Sequence, residues 1–219
     1  MFRHPYLFLL LLLAACTTES YESGDSKLSQ MRADFVMAYT NSKAQVVSAM
    51  TDNGDSLLFD APATQKWIAT PDSTYRLLLY YEPAENGKTH PMYFNQMLTL
   101  NLRKTPKPAQ QKTDPLTLTS AWMSKNRRFL NMGLVLKTGA HEQKALQTLG
   151  VWCDSIEVRD DKTRRIRLTI YHDQGNVPEY YSAKYYASIP IGSFNLSQGD
   201  EIALSVNTYE GMATYTIAY

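Results

Sequence analysis

Apolar and polar residues alternate with a period of two along most of the chain, and this pattern limits the fold more than any other feature. Successive side chains of a strand point to opposite faces, so alternation is typical of sheets that are buried on one face and wet on the other. In the segment 164–171, for example, Ile166, Leu168 and Ile170 alternate with polar residues. The sequence therefore predicts an all-β protein.

The first half of the chain predicts a five-stranded, OB-like barrel. The pair Asn53-Gly54 indicates a hairpin, because both residue types tolerate a positive φ. The segment 61–68, with Asp60 as its cap, predicts one or two helical turns. Five strands with a short helical turn between the third and fourth are typical of the OB-fold. The barrel would span residues 30–104, with strands near 32–40, 43–51, 56–59, 74–82 and 92–103.

The second half predicts a seven-stranded, immunoglobulin-like β-sandwich over residues 116–219. The segment 105–115 before it holds three prolines and no apolar periodicity, which indicates a linker. The Cys…Trp…Cys pattern of antibody domains is absent, so only the architecture is predicted. The strands are expected near 116–123, 129–137, 145–153, 164–171, 180–189, 201–207 and 213–218.

The N-terminus has the pattern of an export signal. A short basic start precedes an apolar run that would form roughly 15 Å of helix, half of the bilayer core. That length suits a signal peptide better than a membrane span. Two alanines stand before Cys16, as in a bacterial lipobox. We expect residues 1–15 to be a signal peptide, Cys16 to be lipidated and residues 16–29 to be a flexible tether; the alternative is a plain secretory peptide.

The expected location is the cell envelope, with the protein attached to the outer membrane through this lipid. Glu19, Glu22 and Asp25 follow the cysteine and loosely resemble the surface-export signal of some Gram-negative anaerobes. Surface exposure and the periplasmic leaflet both stay open. The formal net charge of +1 gives no support for nucleic-acid binding, which is typical of strongly basic domains.

The sequence contains no complete catalytic or metal-binding motif. His141-Glu142 begins like a zinc-protease helix, but Ala145 stands where the second histidine is needed. His172-Asp173 is a lone pair at a predicted strand end, which is typical of a histidine with structural hydrogen bonds. There is no nucleophile elbow and no phosphate-binding glycine loop. We therefore expect no catalytic residue, no metal, no cofactor and no enzymatic activity.

Tyrosines are concentrated in the predicted strand 180–189. Tyr180, Lys184 and Tyr186 share one face, and we expect Tyr181 and Tyr185 on the other face to point toward the core. Exposed aromatic rings can stack on sugars or on a partner protein. The first face is thus a candidate contact surface, and the alternative is ordinary cross-strand pairing.

Two further predictions concern single side chains. Cys153 is the only cysteine beyond Cys16 and lies in an apolar stretch, so a buried and inert thiol is expected. Triplets that begin with Asp-Ser resemble the O-glycosylation signal of some Gram-negative anaerobes. They make Ser56, Ser73 and Ser155 candidate acceptors.

Three stretches resemble a known family. Phe129-Leu130-Asn131-Met132 is similar to a Leu-Asn strand, Leu168 to Asp173 to a strand that ends in histidine, and Tyr180 to Ile191 to the tyrosine-rich strand after it. Together they resemble the NigD-like family of Gram-negative envelope lipoproteins. The resemblance implies an N-terminal OB-like domain and a C-terminal β-sandwich. The family is named after a gene beside a bacteriocin, which suggests immunity, but its biochemical activity is not established.

These observations favour a non-catalytic envelope lipoprotein that binds a partner protein or a glycan. The first alternative is a bacteriocin immunity lipoprotein, which would capture a toxin at the membrane. The second is a hydrolase of envelope polymers, which would require carboxylates or histidines from distant segments to converge in one cleft.

Overall fold

The computed structural model describes residues 30–83, 86–107, 111–140 and 145–219. Within these ranges the chain forms fourteen strands, a short 3-10 helix at Gly192–Phe194 and no α-helix, which confirms the all-β prediction. The strands are β1 Arg32–Thr40, β2 Val46–Thr51, β3 Ser56–Ala63, β4 Thr74–Tyr81, β5 Pro91–Gln96, β6 Leu98–Thr99, β7 Leu102–Lys104, β8 Thr117–Met123, β9 Phe129–Thr138, β10 Thr148–Val158, β11 Arg164–Asp173, β12 Tyr181–Pro190, β13 Glu201–Thr208 and β14 Gly211–Ala218.

Strands β1 to β5 form one sheet in the order β3-β2-β1-β4-β5, and every pair is antiparallel. The sheet curls until Phe59 of β3 meets Thr89, just before β5, through a parallel bridge. Val36, Leu77 and Leu79 are fully buried inside it. A curled, partly open sheet of five strands is the OB-like barrel expected from the sequence.

The β2–β3 connection is the predicted hairpin at Asn53-Gly54. Gly54 has a φ of +95°, a conformation that glycine adopts without steric cost. The turn is closed by the N–H of Thr51, which donates to the carbonyl of Asp55 at 2.9 Å.

The helical turns predicted at 61–68 were wrong, because β3 continues to Ala63 and no helix follows it. Pro62 is tolerated because it lies near the end of an edge strand, where a missing N–H need not break the ladder. Asp60 does not cap a helix; its carboxylate lies 2.8 Å from Nδ1 of His90.

Strands β6 to β14 form a sandwich of two sheets, in the orders β14-β13-β11-β10-β7 and β6-β12-β9-β8. The apolar faces of β9, β11 and β13 fill the space between the sheets, where Leu134, Leu168 and Leu204 are at most 1% exposed. The seven predicted strands correspond to β8 through β14. Two short strands, β6 and β7, add one edge to each sheet.

The prediction of a single strand over 92–103 was wrong. Strand β5 ends at Gln96; β6 then pairs in parallel with β12, and β7 pairs in parallel with β10. The sandwich therefore begins well before the predicted boundary after residue 104. Met97 and Leu100 are both buried, so the apolar pattern continues while the chain moves from one sheet to the next.

The segment predicted as a linker, 105–115, connects two strands of the sandwich instead of two domains. In its described part, Lys112 accepts a hydrogen bond from the N–H of His172 at 3.1 Å. The N–H of Asp114 donates to the carbonyl of His172 at 2.9 Å. The segment therefore runs from β7 to the end of β11; residues 108–110 lie outside the described residues.

A buried carboxylate organises one end of the sandwich. Asp200, at 2% exposure, accepts hydrogen bonds from the backbone of Arg164 at 2.7 Å and of Ser197 at 2.8 Å, and from the Arg164 guanidinium at 2.6 Å. Burial raises the pKa of Asp200, but these hydrogen bonds outweigh it, and the pKa lies below its ordinary value.

We expect Asp200→Asn to lower the free energy of unfolding at pH 7 by about 2 kcal/mol, because hydrogen bonds to a charged group are lost. The pKa of Asp200 is lower in the folded state than in the unfolded state. Its contribution to the free energy of unfolding is therefore complete above the ordinary carboxyl pKa of about 3.9 and is lost as the pH falls through the pKa of the folded state. Urea unfolding should therefore show a smaller loss in the free energy of unfolding between pH 7 and pH 3 in the variant than in the wild type. Asp160→Asn, at an exposed site, is the control; equal pH dependence in both variants would contradict this role.

Candidate binding surface beside the junction of the two domains

A buried arginine joins the barrel to the sandwich. Arg76, at 6% exposure, points outward from β4 toward the sandwich. Its Nη1 and Nη2 donate to Oδ1 and Oδ2 of Asp52, both at 2.7 Å. This bidentate ion pair balances the charge of the guanidinium on the side of the barrel that faces the sandwich.

The sandwich supplies the remaining partners of this guanidinium. Asn131 of β9 accepts from Nη2 at 3.0 Å, and the hydroxyl of Ser188 in β12 accepts from Nε at 3.1 Å. Asn131 also donates from Nδ2 to Asp52 at 2.7 Å, and Arg76 lies 3.9 Å from the centre of the Phe129 ring. Asn131 and Ser188 are fully buried, so the network is a fixed connection between the domains.

Aromatic side chains continue the junction on one side. Phe35 of β1 stacks on Trp122 of β8, with ring centres 5.5 Å apart, and contacts the edge of Tyr186 at 5.3 Å. A backbone bond adds to these contacts, since the N–H of Asn126 donates to the carbonyl of Asp52 at 2.8 Å. Trp122 and Tyr186 are therefore held in place although they are 36% and 50% exposed.

An open groove of about 580 Å³ lies on the other side of the junction. Trp67, Tyr75 and Phe129 contribute aromatic surface to it, and Gln96 contributes an amide. Arg76 also borders the groove, but its guanidinium is already paired. The residues that line the groove include no carboxylate, imidazole or thiol.

The three residues predicted as a contact face lie on one exposed surface. Tyr180 is 78% exposed, Lys184 is exposed, and Tyr186 is 50% exposed. Lys184 and Tyr186 are on the same face of β12 as Ser188, so this surface continues directly from the buried junction. The sequence indicated which residues share the face, but not that the barrel covers one end of it.

The expectation that Tyr181 and Tyr185 point into the core was wrong. They are 56% and 39% exposed, whereas Ala187 and Ile189 on the same face of β12 are fully buried. The alternation was correct, but the core ends before the first half of the strand. Tyr185 borders a second open groove, of about 410 Å³, at this end of the sandwich.

The candidate glycosylation sites differ in accessibility. Ser56 is exposed at the start of β3, whereas Ser73 and Ser155 are half-buried. The hydroxyl of Ser155 donates to Glu157 at 3.2 Å. Modification of these serines stays a prediction.

The other residues singled out in the sequence do not form a site in the described part of the chain. Cys16 and His141 lie outside it. His172 is buried, and its Nδ1 lies 3.0 Å from the carbonyl of Asp114. Cys153 is partly buried, which raises the pKa of its thiol. The described residues contain no cluster of three or more histidine, cysteine, aspartate or glutamate side chains suited to a metal.

The residues with described positions also include no helix that is long and apolar enough to cross a bilayer.

A model of the NigD-like C-terminal β-sandwich domain matches residues 96–219, more than half of the chain. The chain belongs to the NigD-like family. The start of this match agrees with the strand pairing, which places β6 and β7 in the sandwich. No curated protein matches the chain.

Solved structures from Bacteroides and Parabacteroides species share the fold of this NigD-like protein. A NigD-like immunity protein from Bacteroides caccae is 19% identical, with 84% of this chain and 90% of that one covered and a TM-score of 0.61. A candidate toxin-related protein from Parabacteroides distasonis is 16% identical, with 86% and 93% covered and a TM-score of 0.66. A candidate lipoprotein from Bacteroides fragilis is 12% identical, with 87% and 98% covered and a TM-score of 0.59.

Proposed function

We propose that this protein is a non-catalytic lipoprotein of the cell envelope, which holds a rigid two-domain body at the outer membrane to bind a partner protein or a glycan. The lipid on Cys16 is the attachment, and the body is either periplasmic or surface-exposed. The name of the Bacteroides fragilis neighbour supports a lipoprotein. The exposed face with Tyr180, Lys184 and Tyr186 carries the binding role.

The chemistry of this face suits binding better than hydrolysis. It offers aromatic rings, hydroxyls and lysines beside a fixed junction. A hydrolase of glycan polymers commonly needs two carboxylates on either side of the bond that is cleaved. Among the described residues of the junction network, Asp52 supplies the carboxylate, and it is paired with Arg76 and Asn131. We therefore favour an interaction module over an envelope hydrolase.

The test is saturable binding of the body, residues 30–219, to envelopes from the native host. We expect Tyr180→Ala/Tyr186→Ala to weaken this binding about tenfold or more, because exposed aromatic anchors commonly dominate an interface. Tyr209→Ala/Tyr215→Ala is the matched control, since Tyr209 and Tyr215 are also exposed but lie at the β13–β14 hairpin. Absence of envelope binding, or equal loss in both double variants, would contradict the proposal.

Bacteriocin immunity is the second candidate, because the Bacteroides caccae neighbour is named as an immunity protein. In this case the body would capture a toxin at the membrane. A deletion strain should then become sensitive to a bacteriocin from a neighbouring producer, and the full-length gene should restore resistance. Unchanged sensitivity after deletion would remove this candidate.

A further inference from the structure

We propose that the exposed sheet face beside the domain junction binds an acidic polysaccharide. This inference rests on the proposed binding function and names the class of its ligand. We call the surface the basic face and define it by Tyr180, Lys184 and Tyr186 together with Trp122, Lys137 and Ser182.

The strand register places these residues on one side of the sheet β6-β12-β9-β8. Ser182 is opposite Lys137, Lys184 is opposite Val135, and Tyr186 is opposite Gly133. Side chains of directly opposed residues share a face, and this is the face on which Ser188 meets Arg76. Beyond the part covered by the barrel, the opposed positions of β9 and β12 on this face include two lysines and no carboxylate.

Lys184 is exposed and Lys137 is half-buried, and both can contact an anionic ligand. Among the described residues, neither Lys137 nor Lys184 has an ion-pair partner, whereas four arginines of the opposite sheet and its hairpin are paired with carboxylates. Lys184 is opposite Val135, so Lys137 is its diagonal neighbour, roughly 7–8 Å away along the sheet. Two unpaired charges at this spacing can contact acid groups on adjacent units of one polymer.

Aromatic rings lie at both ends of these lysines. Tyr186 and Trp122 are packed on Phe35. Tyr180 lies so close to Gly139 that a Cβ added to the glycine would be 2.8 Å from the tyrosine ring. The six residue-to-residue steps from Tyr180 to Tyr186 span roughly 20 Å at the rise of a strand, so the platform is long enough for several sugar rings. The rings of Trp122 and Tyr186 are ordered by Phe35 before binding, so they lose little entropy when they stack on a ligand.

A saccharide fits this surface better than a protein does. The centres of protein–protein interfaces are depleted of lysine and well packed with apolar side chains. Here the two lysines lie between the aromatic rings, and half-buried Val135 is the one aliphatic side chain of β9 and β12 on the part of this face that the barrel leaves uncovered. The hydroxyl of Ser182 adds a donor and acceptor for sugar hydroxyls. Charge complementarity then selects an acidic polymer over a neutral one.

The experiment measures binding of the full-length, detergent-solubilised lipoprotein to three polymers: polygalacturonate, which carries carboxylates, heparin, which carries sulfates, and neutral dextran. We expect binding to at least one acidic polymer, weakening as salt is raised, and none to dextran. Lys137→Ala/Lys184→Ala should weaken binding about tenfold or more. Lys43→Ala/Lys88→Ala, which removes the same charge from exposed sites in the barrel, should change it less than about twofold.

The outcomes separate this inference from the proposed function. Binding to one acidic polymer but not the other supports the inference and identifies the acid group. No binding to either at low salt, or equal weakening in both lysine variants, overturns it. If tyrosine-dependent binding to envelopes persists in that case, the protein is an interaction module with a different ligand. If envelope binding is absent as well, both proposals fail.

Discussion

Arg76→Ala is expected to lower the free energy of unfolding by about 3–5 kcal/mol and to loosen the two domains from each other. The substitution leaves the carboxylate of Asp52 without its bidentate partner, and it removes a hydrogen-bond partner from both Asn131 and Ser188. Removing one partner of a buried ion pair costs more than the pair contributes, because the remaining charge is uncompensated. The same change removes the guanidinium that packs on the Phe129 ring.

Two measurements check this expectation. Urea unfolding gives the loss of stability, and distances between spin labels on the barrel and the sandwich give the loss of fixed orientation. Adding Asp52→Asn to Arg76→Ala should restore part of the stability, since the unpaired charge is then gone. Arg103→Ala, on the exposed strand β7, is the control and should have little effect. An Arg76→Ala variant with native stability and unchanged distances would show that the network does not join the domains.

Cys16→Ser is expected to release the protein from the membrane almost completely. A diacylglyceryl group, with or without a third acyl chain, contributes roughly 0.8 kcal/mol for each buried methylene, which gives stable attachment. Serine cannot form the thioether. The matched control is Cys153→Ser, the same substitution in the body, which should leave the protein in the membrane fraction. Cell fractionation measures both variants, and membrane attachment that survives Cys16→Ser would contradict the lipid anchor.

Strand positions could be predicted well because alternation is a local signal. The apolar series of β9, β11 and β13 identified their core faces, and the Asn53-Gly54 turn identified its hairpin. The errors arose where one local pattern is compatible with two different structures. Pro62 after Asp60 fits the first turn of a helix and also fits an edge strand. The alternation over 92–103 continues across β5, β6 and β7, and nothing local shows that the strands belong to different sheets.

The junction could not be predicted, because its members are far apart in the sequence. Arg76 is 24 residues from Asp52, 55 from Asn131 and 112 from Ser188. The one available signal was Asn131, which stands as a polar residue in an otherwise apolar motif. Its side chain is on the outer face of β9, where the barrel covers it. A motif can thus identify a residue without showing what the residue contacts.

Only part of the exposed face could be predicted, because its extent depends on strands that are distant in the sequence. The period of two correctly placed Tyr180, Lys184 and Tyr186 together. It did not show where the core ends, and so Tyr181 and Tyr185 were assigned to the interior. Exposure depends on which strands of the opposite sheet reach that far, and this is a property of the whole sandwich. For the same reason, the sequence did not show that Phe35 would hold Trp122 and Tyr186 in place.

The central claim is that a lipid on Cys16 attaches this two-domain body to the membrane, and mass spectrometry of protein purified from the native envelope tests it most directly. The account predicts that the N-terminal peptide begins at Cys16 and carries the mass of a thioether-linked diacylglyceryl group. A peptide that retains residues before Cys16, or that begins at Cys16 with a free thiol, would contradict it.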